Sequence, residues 1–373
     1  MKSTCSNLAN LDKGELQPNG YLLYRANTSS EFILERCPNQ VFGAVFNCAV
    51  SGADSQFNEN RLCFCRQCEG FVQLQTAAKI FAFFSVSQVE MARLTLKLLK
   101  IEPPFVIAID RTEWQLGKSW VNVLMLSVSY KGVAIPLIWT VWEEKGCSDD
   151  RERREILERF IEAFGRQSIR FVTADREFAS RKWLAYLVGE QIDFRLRIKA
   201  SAQLTDKRGR LMRASKIWQR MPTGARVECQ RRRKLWNQKV FVAVCRKEDG
   251  DAVIVISNER SGQILLEYGR RWEIETLFGN LKKRGFCLED THLTEGERVS
   301  RLLSLLTLAG SWALLAGELA SLETPLKIKK HGRMEKSVFR LGIDTLRNCF
   351  CRIQINLRQK QRFQQLILLL SCT

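Results

Sequence analysis

Residues 103–110 read "PPFVIAID". The double proline stops any preceding helix, and the apolar run behind it ends on an acid. The run is too short for a helix and has no polar alternation. It predicts a strand buried on both faces, with Asp110 at its C-terminal end. Residues 169–175, "IRFVTAD", follow the same plan and end on Asp175. Two strands therefore carry a carboxylate to the edge where open α/β sheets place their sites.

The flanking segments fit such a sheet. "VNVLMLSVSYKGVAIPLIWTVWE" (121–143) holds two β-rich runs around Tyr130-Lys131-Gly132 and predicts an antiparallel hairpin. "SDDRERREILERFIEAFG" (148–165) predicts a helix capped by Ser148 or Asp149 and stopped by Gly165. "RKWLAYLVGEQ" (181–191) predicts a second helix, and "DFRLRIKA" (193–200) a further strand. The fold class expected is α/β, a mixed sheet with helices on its faces. Residues 201–260 interrupt it with "KVFVAVCRKE" and "DAVIVISN", read as a β-rich insertion. The most apolar run, "LLSLLTLAGSWALLAG" (302–317), is short for a membrane span and is read as a buried core helix.

Charge narrows the function. The 373 residues carry a formal net charge of +19, which a fold does not need and which implies a polyanionic partner. Residues 1–60 hold four basic and six acidic groups, so the remaining 55 basic and 34 acidic groups lie downstream. Residues 1–60 also lack hydrophobic periodicity. Residues 71–100, "FVQLQTAAKIFAFFSVSQVEMARLTLKLLK", predict one or two amphipathic helices. No secretory pattern opens the chain, so its thirteen cysteines are expected as reduced thiols in a cytosol. Cys63, Cys65 and Cys68 form the one dense cluster. With Cys37 or Cys48 they would supply four zinc ligands, but the spacing fits no zinc pattern, and buried thiols are the plainer reading.

"YGRRWEIETLFGNLKK" (268–283) is predicted inside a helix over about 262–284 that ends at Gly285. At roughly 100° per residue, Tyr268, Arg271, Glu275 and Lys282 fall within about 60° of arc, while Trp272 and Leu281 point elsewhere. Arg271 and Glu275 also make the i,i+4 pair of an ordinary surface helix. That reading leaves the two strand-end aspartates unexplained. Three carboxylates from separate elements suit two-metal phosphodiester chemistry with Mg²⁺ or Mn²⁺. The phenol, guanidinium and ammonium beside them suit phosphates. Only two histidines, His292 and His331, occur, which argues against a histidine-based nuclease or a zinc hydrolase.

The spacing Tyr268-x2-Arg271-x3-Glu275-x6-Lys282 resembles the Y-x2-R-x3-E-x6-K signature of the insertion-sequence-four family of DDE transposases. "DRTEW" at Asp110 is similar to that family's first acidic motif and "TADREF" around Asp175 to its second. "GFCLEDTHLT" (285–294) also resembles family members, and the likeness spans roughly residues 100–350. It implies an RNase H-like core over 101–200 and 261–322 with the β insertion at 201–260. It implies two Mg²⁺ ions, replaceable by Mn²⁺, held by Asp110, Asp175 and Glu275. It further implies cut-and-paste transposition on double-stranded DNA: hydrolysis at the transposon end, a hairpin formed by the freed 3′-hydroxyl, and strand transfer to target DNA. A homodimer in the DNA complex and a bacterial cytosolic, nucleoid-associated location follow from the same likeness. So does a tryptophan of the insertion stacking on a flipped base. Trp236, beside Arg231, Arg232, Arg233 and Lys234, is the candidate, with Trp218 competing. Arg176 is placed to reach DNA or to pair with Glu177. The basic region over 323–373, with "KIKKHGRMEKSVFR" (327–340), is expected to meet DNA phosphates.

The likeness fails at the start. Family members open with a basic helical domain that reads the inverted repeat. Here residues 1–60 are acidic, and only 61–100 carry helical, basic character. Either the start has diverged, or a frameshift or recombination has replaced it. Two other functions therefore compete with transposase: a catalytically silent DNA-binding remnant that inhibits transposition, and an RNase H-like nuclease that cuts without joining.

Overall fold

The computed structural model describes residues 21–25, 31–35 and 87–352, apart from positions 147, 283, 331 and 333. The cysteine cluster at 63–68, the helical reading over 71–86, His331 and residues 353–373 lie outside the described residues. Contacts divide the chain into Met1–Phe83 and Phe84–Thr373. In the first unit, β1 (Tyr21–Arg25) pairs antiparallel with β2 (Glu31–Glu35), Leu23 opposite Ile33.

The second unit is a mixed α/β structure. After helix α1 (Gln88–Leu98) come β3 (Phe105–Leu116), β4 (Ser119–Tyr130), β5 (Val133–Trp142), α2 (Asp150–Phe164), β6 (Ile169–Ala174), α3 (Arg181–Gly189) and β7 (Phe194–Arg197). Then follow β8 (Gln203–Thr205), β9 (Leu211–Arg213), β10 (Arg226–Glu228), β11 (Arg233–Leu235), β12 (Gln238–Arg246) and β13 (Ala252–Ser257). Four helices close the unit: α4 (Ile264–Gly269), α5 (Trp272–Leu281), α6 (Gly296–Glu323) and α7 (Val338–Arg352). One open sheet runs β5-β4-β3-β6-β7-β13-β12-β11-β8-β9, with β10 also on β12. Strands β3, β6 and β7 are parallel, and the other pairings are antiparallel.

Local chemistry explains these elements. Val121 to Ser129 of β4 are buried without interruption, so both sheet faces are covered at that strand. Lys131 and Gly132, both at positive φ, make the tight turn from β4 to β5. Asp149, rather than Ser148, caps α2 in a capping box with Glu152, and Gly165 at φ 80 ends it. Met91, Ala92, Leu96 and Leu98 of α1 are buried, and α1 packs against β5 and α6.

Three expectations change. First, β3 does not end at Asp110. It continues to Leu116 because β4 supplies an antiparallel partner as far as Leu116↔Ser119. Second, the β-rich insertion over 201–260 forms no sheet of its own but extends the core sheet: β13 pairs with β7, Ile256 opposite Leu196, and the other strands add outward. Third, the helix expected over 262–284 is two helices. At Arg270 and Arg271 the backbone stays right-handed, but its bonds tighten to i→i+3, Arg271 N to Tyr268 O at 2.9 Å. It ends at Leu281, and Gly285 is required beyond it, since a Cβ there would lie 2.3 Å from Asn280 O.

Helix α6 has the length and hydropathy of a membrane span, yet 72% of its apolar window is buried inside the protein. That is the core helix expected at 302–317. Helix α7 crosses it at two glycines. A Cβ on Gly342 would stand 1.6 Å from Ala313 O, and one on Gly317 2.0 Å from Val338 O. Gly342→Ala should therefore destabilise the protein by about 1–3 kcal/mol, read as a thermal midpoint several degrees lower. An unchanged midpoint would mean that α7 does not pack on α6 through this contact.

Candidate active site

The strands set the first two carboxylates. The last parallel pair between β3 and β6 is Ile109↔Ala174. Asp110 and Asp175 are the next residues on neighbouring strands, so they stand at one level where β6 stops and β3 runs on. The apolar residues before them are buried, and the carboxylates are the first groups past that floor. The turn after Asp175 is fixed by Phe178, whose ring is buried and whose N–H donates to Asp175 O at 2.9 Å.

The tightened joint between α4 and α5 lies over this level. The Tyr268 hydroxyl donates to Asp175 Oδ1 at 3.4 Å. Arg271, 3% exposed, lies between two acids: Nη1 to Asp110 Oδ2 at 3.3 Å, and Nη2 to Glu275 Oε1 at 2.5 Å. Its Nε has no hydrogen-bond partner. Glu275 is half exposed, with 52% of its side chain accessible. From β7, Arg197 Nη1 stands 3.5 Å from Asp175 Oδ1.

Asp110 feels the crowding most. Burial pushes its carboxyl up to about 6, and the charges of Asp175 and Glu275 add to the rise. The Arg111 N–H and the Arg271 guanidinium oppose it without cancelling it. Tyr268 is pushed up to about 12, mainly by burial, so its hydroxyl keeps its proton. A carboxyl raised from 3.8 to about 6 penalises the folded state above pH 6, and the penalty fades as pH falls from 6 towards 3.8. Without divalent cations, Asp110→Asn should stabilise the fold at pH 8 by about 1–3 kcal/mol and much less at pH 5. Equal melting points at pH 8 would refute the buried, penalised carboxylate.

The other sequence candidates scatter. Lys282 lies just beyond α5, off the helical stripe expected for it. Its Nζ donates to Glu113 O at 2.8 Å, pairs with Glu289 at 3.1 Å and sits over the Trp114 ring. Arg176 is exposed, and Glu177 lies towards Arg111, at 3.9 Å, instead. Trp236 and Asn237, both at positive φ, form the turn between β11 and β12. Trp236 is half-buried there, whereas Trp218 is core. Arg231 and Lys234 are exposed, Arg232 covers the Phe241 ring, and Arg233 donates to Thr205 O at 3.1 Å. In the C-terminal segment Lys327, Lys329 and Lys330 are exposed, while Phe339 is buried against Phe286. Sequence reasoning missed Arg197. Its signal was "DFRLRIKA" itself: two arginines spaced i,i+2 share one face of a central strand beside the strand that leads to Asp175.

The donor set suits a hard divalent cation: three carboxylates, one of them penalised by burial and by the acids beside it. Among the described residues no three acids, histidines or cysteines stand together as a ready-made metal cluster. The guanidinium of Arg271 occupies the space between Asp110 and Glu275. The family model of the transposase DDE domain matches residues 104–311, more than half of the chain. No curated protein matches.

Proposed function

The chain belongs to the transposase DDE-domain family, and from that premise we propose that it is the transposase of an insertion sequence of the insertion-sequence-four type. The observation that carries the reading is the convergence of Asp110, Asp175 and Glu275, from three separate elements, around Tyr268 and Arg271. The strand order β5-β4-β3-β6-β7, with β3, β6 and β7 parallel, supports an RNase H-like core. Strands β8 to β13 stand as the β insertion before the catalytic glutamate.

Asp110, Asp175 and Glu275 are the residues that would hold the divalent cations. Two Mg²⁺ ions, or Mn²⁺ in their place, supply Lewis-acid activation of the attacking oxygen and neutralise the leaving oxygen when bound. The protein fixes the rest of the geometry. Arg271 grips a phosphate beside the scissile one, Tyr268 donates to a phosphate oxygen from a phenol that stays protonated, and Lys282 fixes where α5 ends and adds positive charge. Arg176, Arg231, Arg232, Arg233 and Lys234 extend the basic surface along the DNA, with Arg231 and Lys234 the free ends of that run. Trp236, half-buried on the two-residue turn between β11 and β12, stacks on a base extruded near the hairpin.

Each step is an in-line displacement at phosphorus. Water breaks the P–O3′ bond at the element's end, leaving a 3′-hydroxyl and a 5′-phosphate. That hydroxyl attacks the phosphodiester that joins the opposite strand to flanking DNA, forming a hairpin as the flank leaves with a 3′-hydroxyl, and water reopens the hairpin. The released 3′-hydroxyl then attacks a target phosphodiester, joining to its 5′ side and freeing a target 3′-hydroxyl. Two subunits, one at each end, bring the ends together.

End cleavage tests this. A labelled duplex of the element's terminus is incubated with the protein and Mg²⁺, then Ca²⁺. Nicks followed by hairpins, with Mg²⁺ alone, are expected. Binding without cleavage would overturn the enzymatic reading in favour of the silent DNA-binding remnant.

A further inference from the structure

We propose that Arg271 is an internal counter-ion that holds the metal position between Asp110 and Glu275 until a DNA phosphate draws it away, so that DNA and divalent cations bind with positive coupling. The inference rests on the assignment of these carboxylates as the metal-holding set and adds how that set is kept shut.

The geometry is specific. A buried guanidinium bridges two acids of three, at 3.3 and 2.5 Å, on the oxygens a cation would use. A divalent ion and a guanidinium cannot share that desolvated space, because like charges repel strongly where water is excluded. No three-acid cluster stands preformed among the described residues, as expected if the arginine takes the cation's place. Its Nε, with no hydrogen-bond partner, leaves the pairing incomplete and the side chain ready for a better acceptor. A phosphate is that acceptor, through the bidentate geometry that arginine favours.

A way out exists. Glu275 is half exposed, so the Nη2 end of the guanidinium is its outer end. Trp272 is 52% exposed, and its ring lies 5.7 Å from the guanidinium, so it can carry the guanidinium outward by cation–π contact. Arg271 itself sits at the tightened joint between α4 and α5, where a small backbone change re-aims it. Metal alone must expel Arg271 without offering it a new partner, whereas DNA provides one. By linkage, metal must then tighten DNA binding by the same factor, commonly about 5–150-fold.

The test is equilibrium binding with the full chain. Mn²⁺ affinity is read by electron paramagnetic resonance with and without a duplex of arbitrary sequence. Duplex affinity is read by fluorescence anisotropy with and without Ca²⁺. In the wild type, DNA should tighten Mn²⁺ binding about tenfold or more, and Ca²⁺ should tighten DNA binding equally. Arg271→Gln should bind Mn²⁺ about tenfold more tightly than wild type without DNA, and its coupling should vanish. Arg271→Lys, charged but unable to bridge both acids, should fall between, and thermal melts establish that both variants fold. Mn²⁺ binding that Glu275→Gln abolishes but Arg271→Gln leaves unimproved would overturn the counter-ion and keep the metal site. No Mn²⁺ binding in any form, with or without DNA, would overturn both.

Discussion

Glu275→Gln is expected to lower DNA-end cleavage by about 10³-fold or more, the scale seen when one preorganised electrostatic group is removed from a reacting centre. DNA affinity should stay within a few-fold. The substitution keeps the shape of the side chain and removes its charge. With half of that side chain in solvent, the fold loses little. Arg271 keeps its contact with Asp110 at 3.3 Å, so the joint between α4 and α5 holds. Nicking of a labelled duplex gives the first quantity and fluorescence anisotropy the second. Near-normal cutting would remove Glu275 from the reaction. Cutting and binding lost together would make it a structural or DNA-binding residue instead.

Arg195→Ala should cost about 3–5 kcal/mol of folding stability, the range for breaking a buried ion pair by deleting one partner. Arg195 is 0% exposed on β7. It pairs with Glu259 at 3.0 Å and with Glu267, and donates to Ser257 Oγ at 2.8 Å and Phe194 O at 2.9 Å. Its guanidinium lies over the Phe171 ring. Glu267 belongs to α4 and directly precedes Tyr268, so the arginine ties the sheet to the helix pair that carries Tyr268, Arg271 and Glu275. Arg195→Lys should rescue little, because an ammonium cannot serve these directions at once. Urea denaturation gives the loss, and an unchanged midpoint would show that the network contributes nothing net. Cleavage by Arg195→Ala should fall even where the protein is folded, since Tyr268 and Arg271 lose their fixed start.

Much of this molecule was legible in the chain. The apolar run Phe105–Ile109 before Asp110 and the β-rich run Ile169–Ala174 before Asp175 read as buried strands, and strand direction alone put both acids at one edge. The cap at Ser148 or Asp149, the stop at Gly165 and the Lys131-Gly132 turn are local signals, because their hydrogen bonds and φ angles close within a few residues; which of the two residues caps was decided by the structure. The spacing from Tyr268 to Lys282 singled out the stretch whose Tyr268 and Arg271 meet the strand-end acids, and the positive charge pointed to a polyanionic partner. Tertiary contacts decided the rest. Whether β3 stops at Asp110 depends on where β4 lies, and that partner carries it to Leu116. A helical wheel assumes one unbroken helix. The helix ends at Leu281, so Lys282 stands one residue beyond it, bound to Glu113 and Glu289. Gly342 matters only because Ala313 of another helix touches it. Whether Arg271 faces solvent or lies between Asp110 and Glu275 is set by residues 161 positions apart, a long-range pairing that sequence periodicity does not encode.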